Sequence, residues 1–334
     1  MGTFILTGVD YDNDGESHSP LWVASGGTSI AYSTDGTNWT EVSPSGISGL
    51  KDITFGKDGA GNDMWYGCST VDSNGFAYTS DVTDAGSWTT VNPPGTGGGT
   101  AVEYGANGTL VMGREHENYA IRRSTDSGIN WTNATITTTG HAPKATDSLA
   151  TNGSGIWVAG MGTLGVILKS YDDGVTWYKT ADLGSDKHIG IEYANGVWVA
   201  AEEGKTINIC TSIAQSNSLD TWTQIDPPGS KTPDCVTYVS GDTWLVGGGG
   251  RNMWKSTDNA ASWSQVTSLT NVGNGASTNN NPYSLSSDGT NVIAVGRNGH
   301  INLSTDNGDT WTNVHTMTSG VHLVSVEYNK VKPF

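Results

Sequence analysis

The sequence predicts an all-β protein, a seven-bladed β-propeller of four-stranded antiparallel blades with residues 1–334 as a single propeller domain. Three observations carry that expectation. An eight-residue phrase, Ser124-Thr125-Asp126-Ser127-Gly128-Ile129-Asn130-Trp131, returns intact or degraded about every 45 residues along the chain. The tryptophans that close it, Trp39, Trp88, Trp131, Trp177, Trp222, Trp263 and Trp311, make seven copies spaced by 49, 43, 46, 45, 41 and 48 residues. Between copies lie short apolar runs split by Gly, Asn and Asp turns, with no sustained helical period. Units of this size cannot bury their apolar faces alone and must stack on their neighbours.

Each repeat reads as four strands, a to d. Strand a recurs as, for example, Asp52-Ile53-Thr54-Phe55, Gly190-Ile191-Glu192-Tyr193 and Cys235-Val236-Thr237-Tyr238, and strand b as Leu21-Trp22-Val23-Ala24 or Val197-Trp198-Val199-Ala200. Strand c runs into the phrase and strand d leaves from its Trp. The copies at Ser170 to Trp177 and Ser304 to Trp311 keep the full spacing, and the copy at Ser256 to Trp263 has Ala260 in the Gly place. Three copies are degraded: Ser33 to Trp39 is one residue short, Thr79 to Trp88 two residues long, and Thr211 to Trp222 lacks the Asp. An eighth a-like strand, His322 to Asn329, is surplus by count, so strands from both ends are expected to meet in the first blade and close the ring. Val9-Asp10-Tyr11 and Val326-Glu327-Tyr328 fit the innermost place equally well.

The phrase explains itself as a turn. An Asp carboxylate folded over a hairpin accepts from backbone N–H groups, the Ser hydroxyl assists, and Gly supplies a positive φ. Trp then buries its indole between neighbouring sheets. These Asp residues are therefore expected to be structural rather than catalytic. The S-x-D-x-G-x-x-W spacing resembles the Asp-box, or BNR repeat, of sialidases, sortilin-type receptors and photosystem assembly propellers. In sialidases, an arginine triad, a Tyr-Glu nucleophile and an Asp acid lie away from the boxes. Here Arg114, Arg251 and Arg297 each follow Gly at the end of a b strand, but the family's Arg-Ile-Pro signature is absent.

Antiparallel order puts the phrases and the a–b turns on one face of the disc, and the b–c turns and d-to-a crossings on the other. The second face is expected to collect the unusual chemistry: Arg114, Glu115, His116 and Glu117; Glu202, Glu203 and Lys205; Arg251; Arg297 and His300. Crossings add His141, Lys144, Asp186, Lys187, His188, His315 and His322. Loops on a rigid scaffold are where binding concentrates, so these residues are the candidate ligand-binding set. On the other face, Asp10, Asp12, Asp14 and Glu16 alternate before and after a Gly turn and resemble the calcium hairpins of integrin-type propellers. Calcium is the one cofactor this suggests, although His18 and Leu21 stand where later ligands of an EF-hand would fall. Asp10, Glu103, Glu192 and Glu327 share one place in strand a, facing the central channel.

With 16 basic against 33 acidic residues and a net charge of −17, the chain is not a nucleic-acid binder and is not drawn to anionic membranes. Cys68, Cys210 and Cys235 have no metal spacing and read as buried free thiols. The residues given show no signal peptide and no membrane-spanning run, consistent with a virion component or a soluble cytoplasmic protein. Forty-six Gly with abundant Ser, Thr and Asn, and few Lys, resemble phage virion or tail proteins. The expected function is a non-enzymatic binding or assembly propeller taking a protein or glycan partner. The alternative is a sialidase-like or two-carboxylate glycoside hydrolase using Glu115, Glu117, Glu202, Glu203 or Asp186.

Overall fold

The computed structural model describes residues 20–71, 75–94, 97–115, 121–137, 145–162, 165–183, 188–203, 206–229, 233–249, 252–266, 282–318 and 320–329. Seven antiparallel sheets follow one another round a ring. Their strands, from a to d, are as follows in chain order. Blade 1 joins Ser325–Tyr328 to Trp22–Gly26, Ser29–Ser33 and Thr40–Val42; blade 2 is Leu50–Lys57, Asp63–Ser69, Phe76–Thr79 and Thr89–Val91. Blade 3 is Gly99–Tyr104, Leu110–Arg114, Ile121–Ser124 and Thr132–Asn133; blade 4 is Thr146–Thr151, Trp157–Met161, Val166–Ser170 and Thr176–Asp182. Blade 5 is His188–Ala194, Val197–Glu202, Ile207–Cys210 and Thr223–Ile225; blade 6 is Pro233–Ser240, Thr243–Gly248, Asn252–Ser256 and Ser264–Gln265. Blade 7 is Pro282–Ser287, Val292–Gly296, His300–Ser304 and Thr312–Thr316. The a strands touch in succession, and that of blade 7 meets Ser325–Tyr328, so the ring is closed.

The innermost place in blade 1 belongs to the C-terminal strand, which pairs with Trp22–Gly26 in register Trp22 to Tyr328. Val9-Asp10-Tyr11 lies outside the described residues. Side chains fasten the same seam: Leu21 N donates to Asn329 Oδ1 at 2.8 Å, and Glu41 on the outer strand accepts from Thr318 N and Thr318 Oγ1 of blade 7, both at 2.8 Å. One feature departs from four strands per blade. Thr135–Thr137, the continuation of blade 3's outer strand, crosses over and pairs in parallel with Thr176–Asp182, covering the edge of blade 4.

The core lies between sheets. Six of the seven phrase-closing tryptophans are buried, Trp39 partly so, and each packs into an interblade cluster. The strand-b tryptophans Trp22, Trp157 and Trp244 are buried as well. Cys68, Cys210 and Cys235 are buried free thiols.

The turns behave as their residue types dictate. Asp126 Oδ1 accepts from Asn130 N and Ser124 Oγ, both at 2.8 Å, while Ser124 Oγ receives Gly128 N at 3.0 Å and Gly128 O receives Trp131 Nε1 at 2.8 Å. The same set recurs around Asp172, Asp258 and Asp306. Burial pushes the Asp35 carboxyl up, but hydrogen bonds from Asn38, Thr37 and Ser33 outweigh it and hold it down at about 2. Gly128 is required twice: its φ is 81°, and a Cβ there would lie 2.1 Å from Phe76 of blade 2. Ala260 tolerates the same place with φ 67°. In three boxes the residue after the Asp also reaches the preceding blade: Ser127 Oγ accepts from Gly59 N, Asn259 Nδ2 donates to Asn195 O, and Asp173 accepts from Arg123 Nη2 at 2.6 Å. The turns thus latch blade to blade.

Candidate binding site

The a strands enclose an axial channel of about 870 Å³. A local irregularity decides what faces it. In blades 2 to 7 the register of strand a against strand b slips at its second residue, leaving one extra residue at Lys51, Thr100, Asp147, Ile189, Asp234 and Tyr283. A β-bulge re-aims the extra side chain, and five of these six residues line the channel, the side chain of Ile189 being outside the described set.

All of the bulges lie at the start of strand a, the end of the disc where b–c turns and crossings meet. Glu115 and Glu203, each one residue beyond a b strand, line the same mouth, as do Arg297, after Gly296, and His322 in the last crossing. The mouth therefore gathers the carboxylates Glu115, Asp147, Glu203 and Asp234 against the cations Lys51 and Arg297 and the His322 imidazole. Asn298 N donates to His322 Nδ1 at 2.9 Å, which fixes that ring beside the 3-10 turn Arg297–Gly299. Deeper in, Glu103, Glu192 and Glu327 line the wall, as their shared strand place requires.

The wall is also a set of interblade fasteners. Asp52 receives Ser325 Oγ of blade 1 at 2.7 Å and Val102 N of blade 3 at 2.9 Å, Thr100 Oγ1 donates to Thr146 O, and Glu192 receives Tyr238 N at 3.1 Å. Ser284 and Ser286 of blade 7 accept from Val326 N and Tyr328 N, both at 3.2 Å. Two carboxyls stand out electrostatically. Burial pushes Asp52 up to about 6, partly opposed by the donors Val102 and Ser325, with Glu103 adding repulsion. Burial pushes Asp234 up to about 7, and the Glu203 charge adds to it. A carboxyl poised near neutrality beside a second carboxylate in a cleft is a marker of functional sites.

The expected binding residues separate into groups. Glu115, Glu203 and Arg297 converge on the mouth. His300 is half-buried on the outer side of blade 7, its Nδ1 3.0 Å from Thr316 Oγ1. Arg114 and Glu202 differ from the expected exposed position. They are 2% and 0% exposed, because each is the last residue of its b strand and alternation turns it into the interblade space while the next residue faces out. His116, Glu117, Lys205, Arg251 and the calcium candidates Asp10, Asp12, Asp14 and Glu16 lie outside the described residues. Lys51, Asp147 and Asp234 were not singled out by motif. Their only sequence signal is a polar residue inserted just ahead of an a strand.

A pH dependence follows from the raised carboxyls. Asp52 and Asp234 hold protons in the folded state at pH values where an Asp of ordinary pKa 3.8 has lost them. Their contribution to stability is fully present below that value and is lost as pH rises through about 6 and about 7. Asp234→Asn should flatten the fall in melting temperature across this window; a slope identical to wild type would show that Asp234 titrates normally.

No family model matches the chain, and no curated protein matches it. Solved structures do. The structure described as "YCF48 bound to D1 peptide" superposes with a TM-score of 0.64 at 18% identity, covering 85% of this chain and 89% of that one. YCF48 from Cyanidioschyzon merolae gives 0.56 at 15%, covering 82% and 86%. The RRP9 WD40 repeats give 0.63 at 11%, covering 84% and 83%. At these identities the likeness is one of fold, the seven-bladed propeller.

Proposed function

We propose that this chain is a non-catalytic, protein-binding propeller of the Asp-box class that takes a partner segment at the channel mouth opposite the boxes. The observation that carries the reading is the ring of bulges: six blades carry a ladder irregularity at the same end of strand a, and the extra residues of five of them, Lys51, Thr100, Asp147, Asp234 and Tyr283, line one opening. Rigid propellers offer such an opening as a preformed concave site, and YCF48, a neighbour in fold, has been captured with a peptide. Carboxylates outnumber fixed cations at the rim, so the fitting segment is basic, with a Lys or Arg side chain entering beside Glu203 and Asp234. The composition supports a virion or tail setting for this partner.

A peptide array of basic, neutral and acidic segments tests the reading. Basic segments should bind, and Glu203→Gln combined with Asp234→Asn should weaken them about tenfold or more at preserved fold. Hydrogen-exchange protection confined to the box side, where Ile129, Val175 and Leu219 are exposed, would overturn it.

One observation favours a second reading. Asp234, pushed up to about 7 by burial and the nearby Glu203 charge, could serve as the general acid of a two-carboxylate glycosidase. Turnover of a glycan panel that is lost in Glu203→Gln while binding survives would replace the first reading with this one.

A further inference from the structure

The charged side chains at the channel mouth are not mixed. Taken in blade order, Glu115, Asp147, Glu203 and Asp234 come from blades 3 to 6, while Arg297 of blade 7, His322 of the crossing into blade 1 and Lys51 of blade 2 follow one another round the rest of the ring. Carboxylates hold one arc of the opening and nitrogen donors the other. Lys51 and Arg297 take part in no ion pair among the described residues, whereas Lys57, Arg123, Lys169 and Lys255 each meet an Asp. The stretch that leads into blade 7, residues 267–281, contains no charged residue that could answer Arg297.

The nitrogen arc is firmly held at its middle. Leu323 N donates to Gly296 O of blade 7 at 3.1 Å and Val324 N to Ser25 O of blade 1 at 2.8 Å, so the crossing that carries His322 is tied to both blades. A Cβ on Gly26 would lie 2.0 Å from His322 O, and one on Gly27 2.8 Å from Val321, so bare backbone in blade 1 lets the crossing lie this close. His322 Nδ1 accepts from Asn298 N at 2.9 Å, in the same 3-10 turn that begins with Arg297. A ring nitrogen that accepts carries no proton, so the neutral imidazole has its proton on Nε2 and donates from there. Guanidinium, imidazole N–H and ammonium thus all offer protons round one arc. A carboxylate is the group that such a set recognises.

We infer that Arg297, His322 and Lys51 form a carboxylate subsite, and that the partner segment is dipolar: an Asp or Glu side chain docks on this arc while a Lys or Arg of the same segment lies beside Glu203 and Asp234. The inference rests on the channel mouth being the partner site. Charge complementarity selects this occupant. A wholly acidic segment meets the carboxylate arc and a chain of net charge −17. A wholly basic one covers the half-buried Arg297 without giving it an anion, which is costly. A dipolar segment satisfies both arcs, and in one orientation only, so the arc also fixes the direction in which the segment crosses the opening.

The test measures binding of short peptides, blocked at both ends, to the full chain by fluorescence anisotropy. Each carries one Lys and one Glu, two or four residues apart so that an extended backbone presents them on one face, in both orders; control peptides have Gln in place of the Glu or of the Lys. The tightest Lys-Glu peptide should bind about fivefold or more better than its Lys-Gln control. Arg297→Gln should bring those two peptides to equal affinity, which a merely structural role would not do, since it would weaken both alike. Arg297→Glu should reverse the preference in favour of a second Lys. If Arg297→Gln does not fold, Lys51→Gln decides, because that side chain is exposed: the preference for Glu should shrink, and an unchanged preference overturns the subsite. Equal affinity of the Lys-Glu and Lys-Gln peptides for the wild type also overturns it while leaving the mouth as a site for basic segments. Failure of every Lys peptide to bind overturns both. A gain that appears only when the peptide end is left as a free acid overturns the assignment to a side chain.

Discussion

Asp220→Ala is expected to lower the unfolding free energy by about 3–5 kcal/mol, the range for stranding one member of a buried ion pair. Lys169 Nζ and Asp220 Oδ2 are 2.7 Å apart, with side chains 0% and 3% exposed. The ammonium also donates to Ala214 O and Ser218 O, both at 2.9 Å, so its three protons are all used. Removing the carboxylate leaves a positive charge facing two carbonyl dipoles and no anion. It also takes the acceptor from Ala214 N, at 2.7 Å, and from Thr180 Oγ1. Asp220→Asn should cost nearly as much, since it keeps shape but not charge. Lys169→Met with Asp220→Leu should recover most of the loss. Urea unfolding measures all three, and a loss under about 1 kcal/mol for Asp220→Ala would mean that water reaches Lys169.

That pair also shows where the sequence stops informing. Blade 5 lacks the Asp of the repeated turn, so by motif its turn is degraded, and the ladder puts Cys210 rather than Thr211 in the Ser place. In the structure Asp220, two residues before Trp222, supplies the missing carboxylate from the other side and takes a lysine of blade 4 with it. A one-dimensional pattern cannot show such a replacement, because the partner is 51 residues away. The blades themselves were legible because each has one Trp at nearly constant spacing, and a large indole has few places to go except between sheets. The sides of individual residues were not. A single bulge shifts the pleat by one place and exchanges inward for outward. This is why Asp147 and Asp234 reach the channel unannounced. Arg114 and Glu202, read as loop residues, are instead the last residues of their b strands, so alternation buries them while Glu115 and Glu203 beside them face the opening. The order of closure was undecidable for a similar reason: Val9-Asp10-Tyr11 and Val326-Glu327-Tyr328 carry the same pattern, and only the pairing of Trp22 with Tyr328, ring centroids 4.6 Å apart, selects one.

Trp177→Ala is expected to cost about 3–5 kcal/mol, as large-to-small changes at a closed interblade site do. Trp177 is 0% exposed and packs in one cluster with Val111 and Ile121 of blade 3 and with Leu149, Trp157 and Leu168 of its own blade. Truncation therefore opens a cavity between two sheets held apart by their own ladders and by the Thr135–Thr137 strand that crosses from one to the other. Such a site collapses poorly, which puts the cost toward the upper part of the range. The indole N–H also caps the turn through Gly174 O at 3.0 Å, leaving that carbonyl without its donor in the variant. Trp177→Phe keeps much of the apolar area and loses the hydrogen bond, so it should cost about half as much. Calorimetry on both variants separates the two contributions. A single sharp transition displaced to lower temperature is expected, because each a strand contacts the next around the ring and one loosened interface weakens all seven blades together. A separate early transition confined to blades 3 and 4 would contradict the closed ring as the cooperative unit.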